Sequence, residues 1–248
     1  MPVALGKGTK LVDLLTDKEK TYEAVLHLGI DTDTQDMSGT VLEERPVNVT
    51  EEEVRKVLKS FVGEQLQVPP MYSALKVNGK KLYELAREGK TVERKARPVC
   101  FYEIEPLEFH LPLVKIRVTC SKGTYIRTLC HDIGEKLGCG GCMEELLRSR
   151  LVGILSLRAI RLPGGSCCAD GTVQDMIDPV EAVLAEYPAL YADSYGDRLL
   201  ANGNPLSDNL VRPQHKEVGC ACTPVTELLQ VFFSGTKRRK KYYPVKMF

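Results

Sequence analysis

No stretch of the 248-residue chain approaches the ~18 to 20 consecutive apolar residues that a membrane-spanning helix requires, which excludes that class of protein. The chain opens Met-Pro-Val-Ala-Leu-Gly-Lys-Gly-Thr-Lys, with no charged leader ahead of an apolar stretch, so no secretory signal is read and the cytoplasm is the expected compartment. Histidine is scarce: His27, His110, His131 and His215 form neither a helix-spaced pair nor a carboxylate-partnered triad pattern. No Ser-His-Asp or Cys-His nucleophile system and no glycine-rich phosphate loop can be read. A structural zinc site pairs two Cys/His knuckles. Here Cys139 and Cys142 make the one C-x-x-C, Cys167 and Cys168 are adjacent, and Cys220 and Cys222 lie one residue apart. No metal site is expected, and the odd total of nine cysteines fits reduced thiols in a chain large enough to dispense with disulfides.

The composition present, 43% apolar and 27% charged, supports a sizeable core in one or two domains, burying roughly 70 to 75% of the unfolded surface. A net charge of +1 conceals an uneven distribution. Residues 31–54 carry eight acidic side chains against Arg45 alone. Residues 76–99 carry eight basic ones (Lys76, Lys80, Lys81, Arg87, Lys90, Arg94, Lys95, Arg97) against Glu84, Glu88 and Glu93, a net +5 interleaved with Tyr83. Such a stretch reads either as a solvated face or as a phosphate-facing arm.

Hydrophobic periodicity predicts four elements. Tyr22, Ala24, Leu26 and Leu28 alternate as one face of a strand that Gly29 ends. Thr50 and Glu53 form a capping box ahead of a helix carrying Val54, Val57, Leu58 and Phe61. Val114, Ile116, Val118 and Cys120 mark a second half-buried strand. After Ser121-Lys122-Gly123-Thr124 the period turns helical, with Ile126, Leu129, Cys130, Ile133 and Leu137 on one face and Gly138 as the stop. Between Gln67 and Arg97 lies an insertion with a basic exterior, little core, and a short helical piece containing Leu82, Leu85 and Ala86. Asp178-Pro179-Val180-Glu181 opens a further helix, and beyond Pro188 short β-like pieces end in the basic, aromatic run 237–244. The predicted class is α+β.

The most informative local feature is the turn at 121–127. Lys122 and Arg127 place two cations at a helix N-terminus, where the macrodipole already supplies about half a positive charge. Either both point to solvent, or a carboxylate or phosphate from elsewhere meets them. Tyr22, at the head of its apolar strand face, reads by itself as a core residue with a wet hydroxyl.

Several stretches together resemble a known family. They are Leu5 to Lys10, Lys20-Thr-Tyr22, the T-D-T-x-D ending at Asp36, Pro69-Pro-Met-Tyr-Ser-Ala-Leu-Lys76, Gly79 to Arg87, Cys120-Ser-Lys-Gly-Thr-Tyr-Ile-Arg127, Leu146 to Arg150, and Tyr243 to Phe248. In their residues and their order, across nearly the whole chain, they resemble bacterial TruB-type tRNA pseudouridine synthases. The resemblance implies a mixed, largely antiparallel sheet with flanking helices over 1–187, the arm at 67–98 being a thumb-like insertion, and a small PUA-like RNA-binding β domain over 188–248. It implies cofactor-free conversion of uridine 55 in the TΨC loop of tRNA, acting as a monomer with no membrane or protein partner. It further implies that Arg127 pairs with the nucleophilic aspartate, that Tyr22, Tyr125 and Leu146 line the uridine pocket, and that Asp36, Lys76, Lys80, Lys81, Lys122, Arg148 and Arg150 contact RNA.

One family segment, approximately H-x-G-T-L-D-P-x-A-x-G-V-L-P with the nucleophilic aspartate, has no counterpart here. Met1-Pro2 stands where its last two residues belong, which places the aspartate just upstream of residue 1. None of the twelve aspartates present substitutes, because the lone Asp-Pro pair is Asp178-Pro179. The expectations are therefore a synthase whose 248 residues alone are inactive, or a tRNA-binding protein or RNA chaperone that grips the elbow without modifying it. An unrelated metal-dependent or structural protein is the third and remote reading.

Overall fold

The computed structural model describes residues 3–13, 19–151, 154–155, 189–212, 219–222, 229–234 and 241–247. The predicted helix at Asp178 and the basic run 237–240 lie outside them. Two compact units divide the chain, one of residues 14–159 and one of residues 2–13 with 160–248.

In the first unit, strands β1 (Lys20–Leu28), β4 (Gly63–Gln67), β7 (Arg97–His110), β8 (Leu113–Cys120), β9 (Gly141–Leu151) and β10 (Ile154–Leu155) form one sheet in the order β10-β9-β1-β8-β7-β4. Every pairing is antiparallel. Two small ribbons accompany it: β2 (Ile30–Thr32) with β3 (Val41–Glu44), and β5 (Lys76–Val77) with β6 (Lys80–Lys81). The helices are α1 (Glu51–Ser60), α2 (Leu82–Arg87) and α3 (Ile126–Leu137).

The alternation predicted for β1 and β8 is realised: Ala24, Leu26 and Leu28 and their neighbours Val114, Ile116, Val118 and Cys120 are all buried. They share a core with Val54 and Leu58 of α1 and with Leu129, Cys130 and Ile133 of α3. Each fully buried Leu or Ile contributes about 1.5 to 3 kcal/mol of transfer free energy. The alternate residues build the sheet's polar face, where Arg117 bridges Glu23 at 3.2 Å and Glu105 at 2.8 Å across three adjacent strands.

Local chemistry sets the helix ends. At α1 the predicted capping box forms, Glu53 N–H donating to the Thr50 hydroxyl and Thr50 N–H to the Glu53 carboxylate at 2.8 Å. Thr50 N–H and the Thr50 hydroxyl, both donating to the carboxylate, hold the Glu53 carboxyl below its ordinary range. Helix α3 stops at Gly138, whose φ of +80° suits glycine. Gly134 serves a different purpose: a Cβ there would run into the Gly140 and Gly141 backbone, so its absence lets α3 lie directly on the entrance to β9.

The second unit contains β11 (Ala189–Ala192), β12 (Leu206–Ser207), β13 (Val211–Arg212), β14 (Gly219–Cys222), β15 (Leu229–Ser234) and β16 (Lys241–Met247), in the order β12-β16-β15-β14-β11-β13. Its β11–β14 pair is parallel and the others are antiparallel. Helix α4 (Ser194–Ala201) is capped by Asp193, which accepts from Gly196 N–H at 2.7 Å.

Candidate RNA-binding and uridine site

The register brings Tyr22, Arg148 and Arg150 to one end of the first sheet, with Leu146 further along β9 opposite Ala24. Tyr22 of β1 lies opposite Val118 of β8 on one side and Arg148 of β9 on the other. Lys20 lies opposite Cys120, the last residue before the 121–125 turn that opens α3. Tyr22 is buried, yet its hydroxyl accepts from Arg148 at 3.1 Å, and that guanidinium sits 5.2 Å from the ring centroid. Leu146, opposite Ala24, remains 45% exposed although its partner is fully buried. Leu146 is therefore an exposed apolar side chain midway along β9, two residues from the Arg148 that stacks on Tyr22.

The turn is held from within. Ser121 N–H donates to the Cys100 carbonyl, Cys100 N–H to the Ser121 hydroxyl, and the Thr124 hydroxyl to the Ser121 carbonyl. Tyr125 is the N-cap of α3 without a side-chain cap of its own. The cap comes from Gln67, the last residue of β4: its Oε1 accepts from Tyr125 N–H at 2.8 Å and its Nε2 donates to the Tyr125 carbonyl at 3.0 Å.

Arg127, half-buried in the first turn of α3, donates to the Tyr72 carbonyl at 3.0 Å. Among the described residues no carboxylate pairs with it, so the carboxylate its position calls for is not supplied there. Lys122 and Arg150 are exposed on the same turn and strand end. Lys20, Lys122, Arg127, Arg148 and Arg150 thus concentrate positive charge around one helix N-terminus, an arrangement suited to phosphate oxygens.

Asp36 organises a loop. Its backbone exchanges two hydrogen bonds with the Thr32 hydroxyl, and its carboxylate accepts from Ser38 N–H at 3.0 Å. The loop then docks on β9 through Met37 N–H to the Met143 carbonyl and Met143 N–H to the Gln35 carbonyl, and on α3 through the Thr128 hydroxyl to Gln35 Oε1 at 2.8 Å. Asp36 is thereby a loop-shaping residue tied to the helix that carries Arg127.

The arm at 68–96 leaves and returns through a closed strand pair, Gln67 opposite Arg97. Its hairpin places Lys76 directly opposite Lys81. Like charges facing across strands are destabilising on their own, and a phosphate between them would reverse the sign. Lys76 and Lys80 are exposed, and Lys80 meets Glu88 at 3.4 Å. Lys81 Nζ donates to the Tyr83 hydroxyl, and the Lys81 and Arg87 cations lie 5.3 and 5.5 Å from the Tyr83 ring centroid.

The two family models that match describe the "TruB family pseudouridylate synthase (N terminal domain)" over residues 1–126 and the "tRNA pseudouridylate synthase B C-terminal domain" over residues 127–185. The chain belongs to the TruB family. It is 46% identical over 213 residues to tRNA pseudouridine synthase B of Clostridium novyi, covering 86% of this chain and 73% of that protein. To the Ralstonia pickettii protein of the same name it is 45% identical over 222 residues, covering 88% and 70%. Among solved structures, a Cbf5-Nop10-Gar1 complex matches with a TM-score of 0.67 at 23% identity, over 99% of this chain and 70% of that one. An H/ACA RNP bound to a substrate RNA containing 2'-deoxyuridine matches at 0.66 and 22%, over the same shares. This TruB chain thus has the pseudouridine synthase fold expected from its sequence.

Sequence reading had missed three contributors: Gln67, the Tyr72 carbonyl and Thr128. Each acts on a partner far away in the sequence, Gln67 and Tyr72 through backbone groups and Thr128 through the Gln35 side chain, which leaves no mark in local patterning. Among the described residues no group of three or more His, Cys, Asp or Glu side chains could hold a metal. Burial pushes the thiols of Cys120 and Cys142 up to about 11, with the Thr124 hydroxyl and then Lys20 and Arg148 drawing Cys120 partly back. Cys130 and Cys139 are raised for the same reason. No helix among the described residues is long and apolar enough to cross a membrane.

Proposed function

We propose that this chain carries the uridine pocket and RNA grip of a tRNA pseudouridine synthase acting at position 55 of the TΨC loop. The target base leaves its stack, at a cost of a few kcal/mol, because neither the glycosidic bond nor C5 is reachable inside it. Tyr22, Tyr125 and the exposed face of Leu146 receive the flipped ring. Lys76, Lys80 and Lys81 on the arm, with Lys122, Arg148 and Arg150, hold the phosphates, and Asp36 shapes the loop beside them. Residues 188–248 form the RNA-binding appendage. In the isomerisation the N1–C1′ bond breaks, the uracil rotates, C1′ joins C5, and the C5 proton is lost as N1 gains one, so no cofactor is consumed. The protein works as a monomer in the cytoplasm.

The observation that carries this reading is Arg127. A half-buried guanidinium at a helix N-terminus, meeting a carbonyl where a carboxylate would bind more strongly, is a cation prepared for an anion. An aspartate paired there is held ionised, as a nucleophile must be. The 248 residues contain no H-x-G-T-L-D-P segment to supply it. The same observation favours tRNA binding without turnover for these residues by themselves.

The test is pseudouridine formation at position 55 of an unmodified tRNA transcript, run alongside tRNA binding with the 248-residue chain. Binding without product is expected, and product once the aspartate-bearing segment is supplied. Conversion at enzymatic rates by the 248 residues alone would mean that another carboxylate performs the attack.

A further inference from the structure

Gln67 is 4% exposed, and both ends of its carboxamide are spent on one residue 58 positions away. Its orientation is fixed by chemistry: only Oε1 can accept from the Tyr125 amide, and only Nε2 can donate to the Tyr125 carbonyl. The carbonyl is already occupied on one side, accepting the first helical hydrogen bond from Leu129 N–H at 3.1 Å. Gln67 takes its second lone pair. Capping at the start of α3 is thus supplied from β4, 58 residues away, where most helices use the side chain of the residue at their own N-terminus.

Gln67 also stands at the root of the arm. It pairs with Arg97 in the strands that close the insertion. Five residues on, the Tyr72 carbonyl receives Arg127. Within the arm, Arg94 donates to the Pro69 carbonyl at 3.0 Å, and Tyr83 N–H to the Ser73 carbonyl at 3.1 Å. The segment 67–73 therefore carries hydrogen bonds in both directions: its Pro69 and Ser73 carbonyls accept from Arg94 and Tyr83 of the arm, while Tyr72 and Gln67 hold Arg127 and Tyr125.

We infer that Gln67 is a positioning residue that clamps the Tyr125 backbone to the root of the arm, so that the seating of the arm on RNA sets the Tyr125 ring and the Arg127 guanidinium against the flipped uridine. This rests on the uridine-pocket reading above. Gln67 touches no substrate; its effect passes through the residue it holds. Binding affinity, supplied by the arm lysines, and base engagement, supplied by the pocket, become separable quantities at this position.

The test uses Gln67→Met, which keeps the length and removes both hydrogen bonds, and Gln67→Glu, which keeps the acceptor and sets a carboxylate against the Tyr125 carbonyl. Each is compared with the parent chain at a temperature where circular dichroism shows all three folded. The ligand is a TΨC stem-loop carrying 2-aminopurine beside the target uridine, whose fluorescence reads unstacking independently of turnover. Both variants are expected to hold the RNA within about twofold of the parent Kd and to lose most of the fluorescence rise, Gln67→Glu more than Gln67→Met. Parent-like fluorescence in both variants overturns the positioning role alone. Parallel loss of affinity and fluorescence makes Gln67 a purely structural cap and overturns it equally. A parent chain that does not bind the stem-loop overturns the pocket reading, and the role of Gln67 with it.

Discussion

Arg127 donates to the Tyr72 carbonyl at 3.0 Å, so the cation of the α3 turn and the root of the basic arm are joined through one hydrogen bond. When a carboxylate binds Arg127, that bond is shared or given up. Arg127→Ala, in a chain that also carries the family's aspartate segment, should lower kcat by on the order of 10²- to 10³-fold, the usual cost of removing a preorganised charge partner. The Kd for tRNA should stay within about twofold, because phosphate contacts elsewhere provide most of the affinity. Single-turnover kinetics with filter binding separates the two quantities. Equal loss of both would make Arg127 a docking residue.

The arm yields a prediction with opposite signs for stability and binding. Lys76→Glu replaces a like-charge pair facing Lys81 with an attractive one, which should steady the free hairpin by about 0.2 to 1 kcal/mol. The same substitution should weaken tRNA binding. Reversing Lys76, Lys80 and Lys81 together should flatten the dependence of log K on log salt by roughly 0.7 to 0.9 for each phosphate that the arm no longer neutralises. Binding isotherms at four salt concentrations measure the slope, and an unchanged slope removes the arm from the RNA interface.

The elements legible in the sequence are those in which a single period holds from end to end. Strand β8 alternates throughout between its buried and polar faces and β1 does so from Tyr22 onward, and α1 and α3 have uninterrupted apolar faces with a capping box or a glycine stop. Strand β9 was not legible. Its pairing with β1 shifts register between Thr21 and Tyr22 and again between Val25 and Leu26, and these irregularities break the alternation. Strand β7 carries two similar shifts. The Asn78-Gly79 turn has positive φ at both residues, as a tight hairpin requires, but its strands are two residues long and show no pattern. Of the site, the motif residues were visible and their supports were not. Gln67 looks like any polar strand residue until the fold sets it against Tyr125.

Gly134 lies where α3 contacts the backbone at the start of β9. Gly134→Ala improves helix propensity by roughly 1 kcal/mol and forces the helix off the strand, an overpacking cost of about 1 to 3 kcal/mol. A net loss in the urea midpoint is expected at unchanged m-value. A gain in stability would show that β9 yields readily at Gly140 and Gly141.

The buried thiols make stability fall at alkaline pH. Cys120 and Cys142 stay protonated in the fold up to about 11 because burial disfavours the thiolate, whereas in the unfolded chain they ionise near their ordinary values. The unfolded state therefore binds fewer protons between about pH 8.5 and 11. By linkage this stabilising contribution is complete below that window and is lost as pH rises through it. Urea midpoints measured from pH 8 to pH 11 should decline, and the decline should be shallower in Cys120→Ala/Cys142→Ala once each variant is referenced to its own midpoint at pH 8. Iodoacetamide at pH 8 should label neither thiol in the folded protein within the time that labels both in urea, since thiolate is scarce and access is closed. Rapid labelling of Cys120 under folded conditions would mean that Lys20 and Arg148 lower its pKa more than burial raises it, and that the turn beside it is open to solvent.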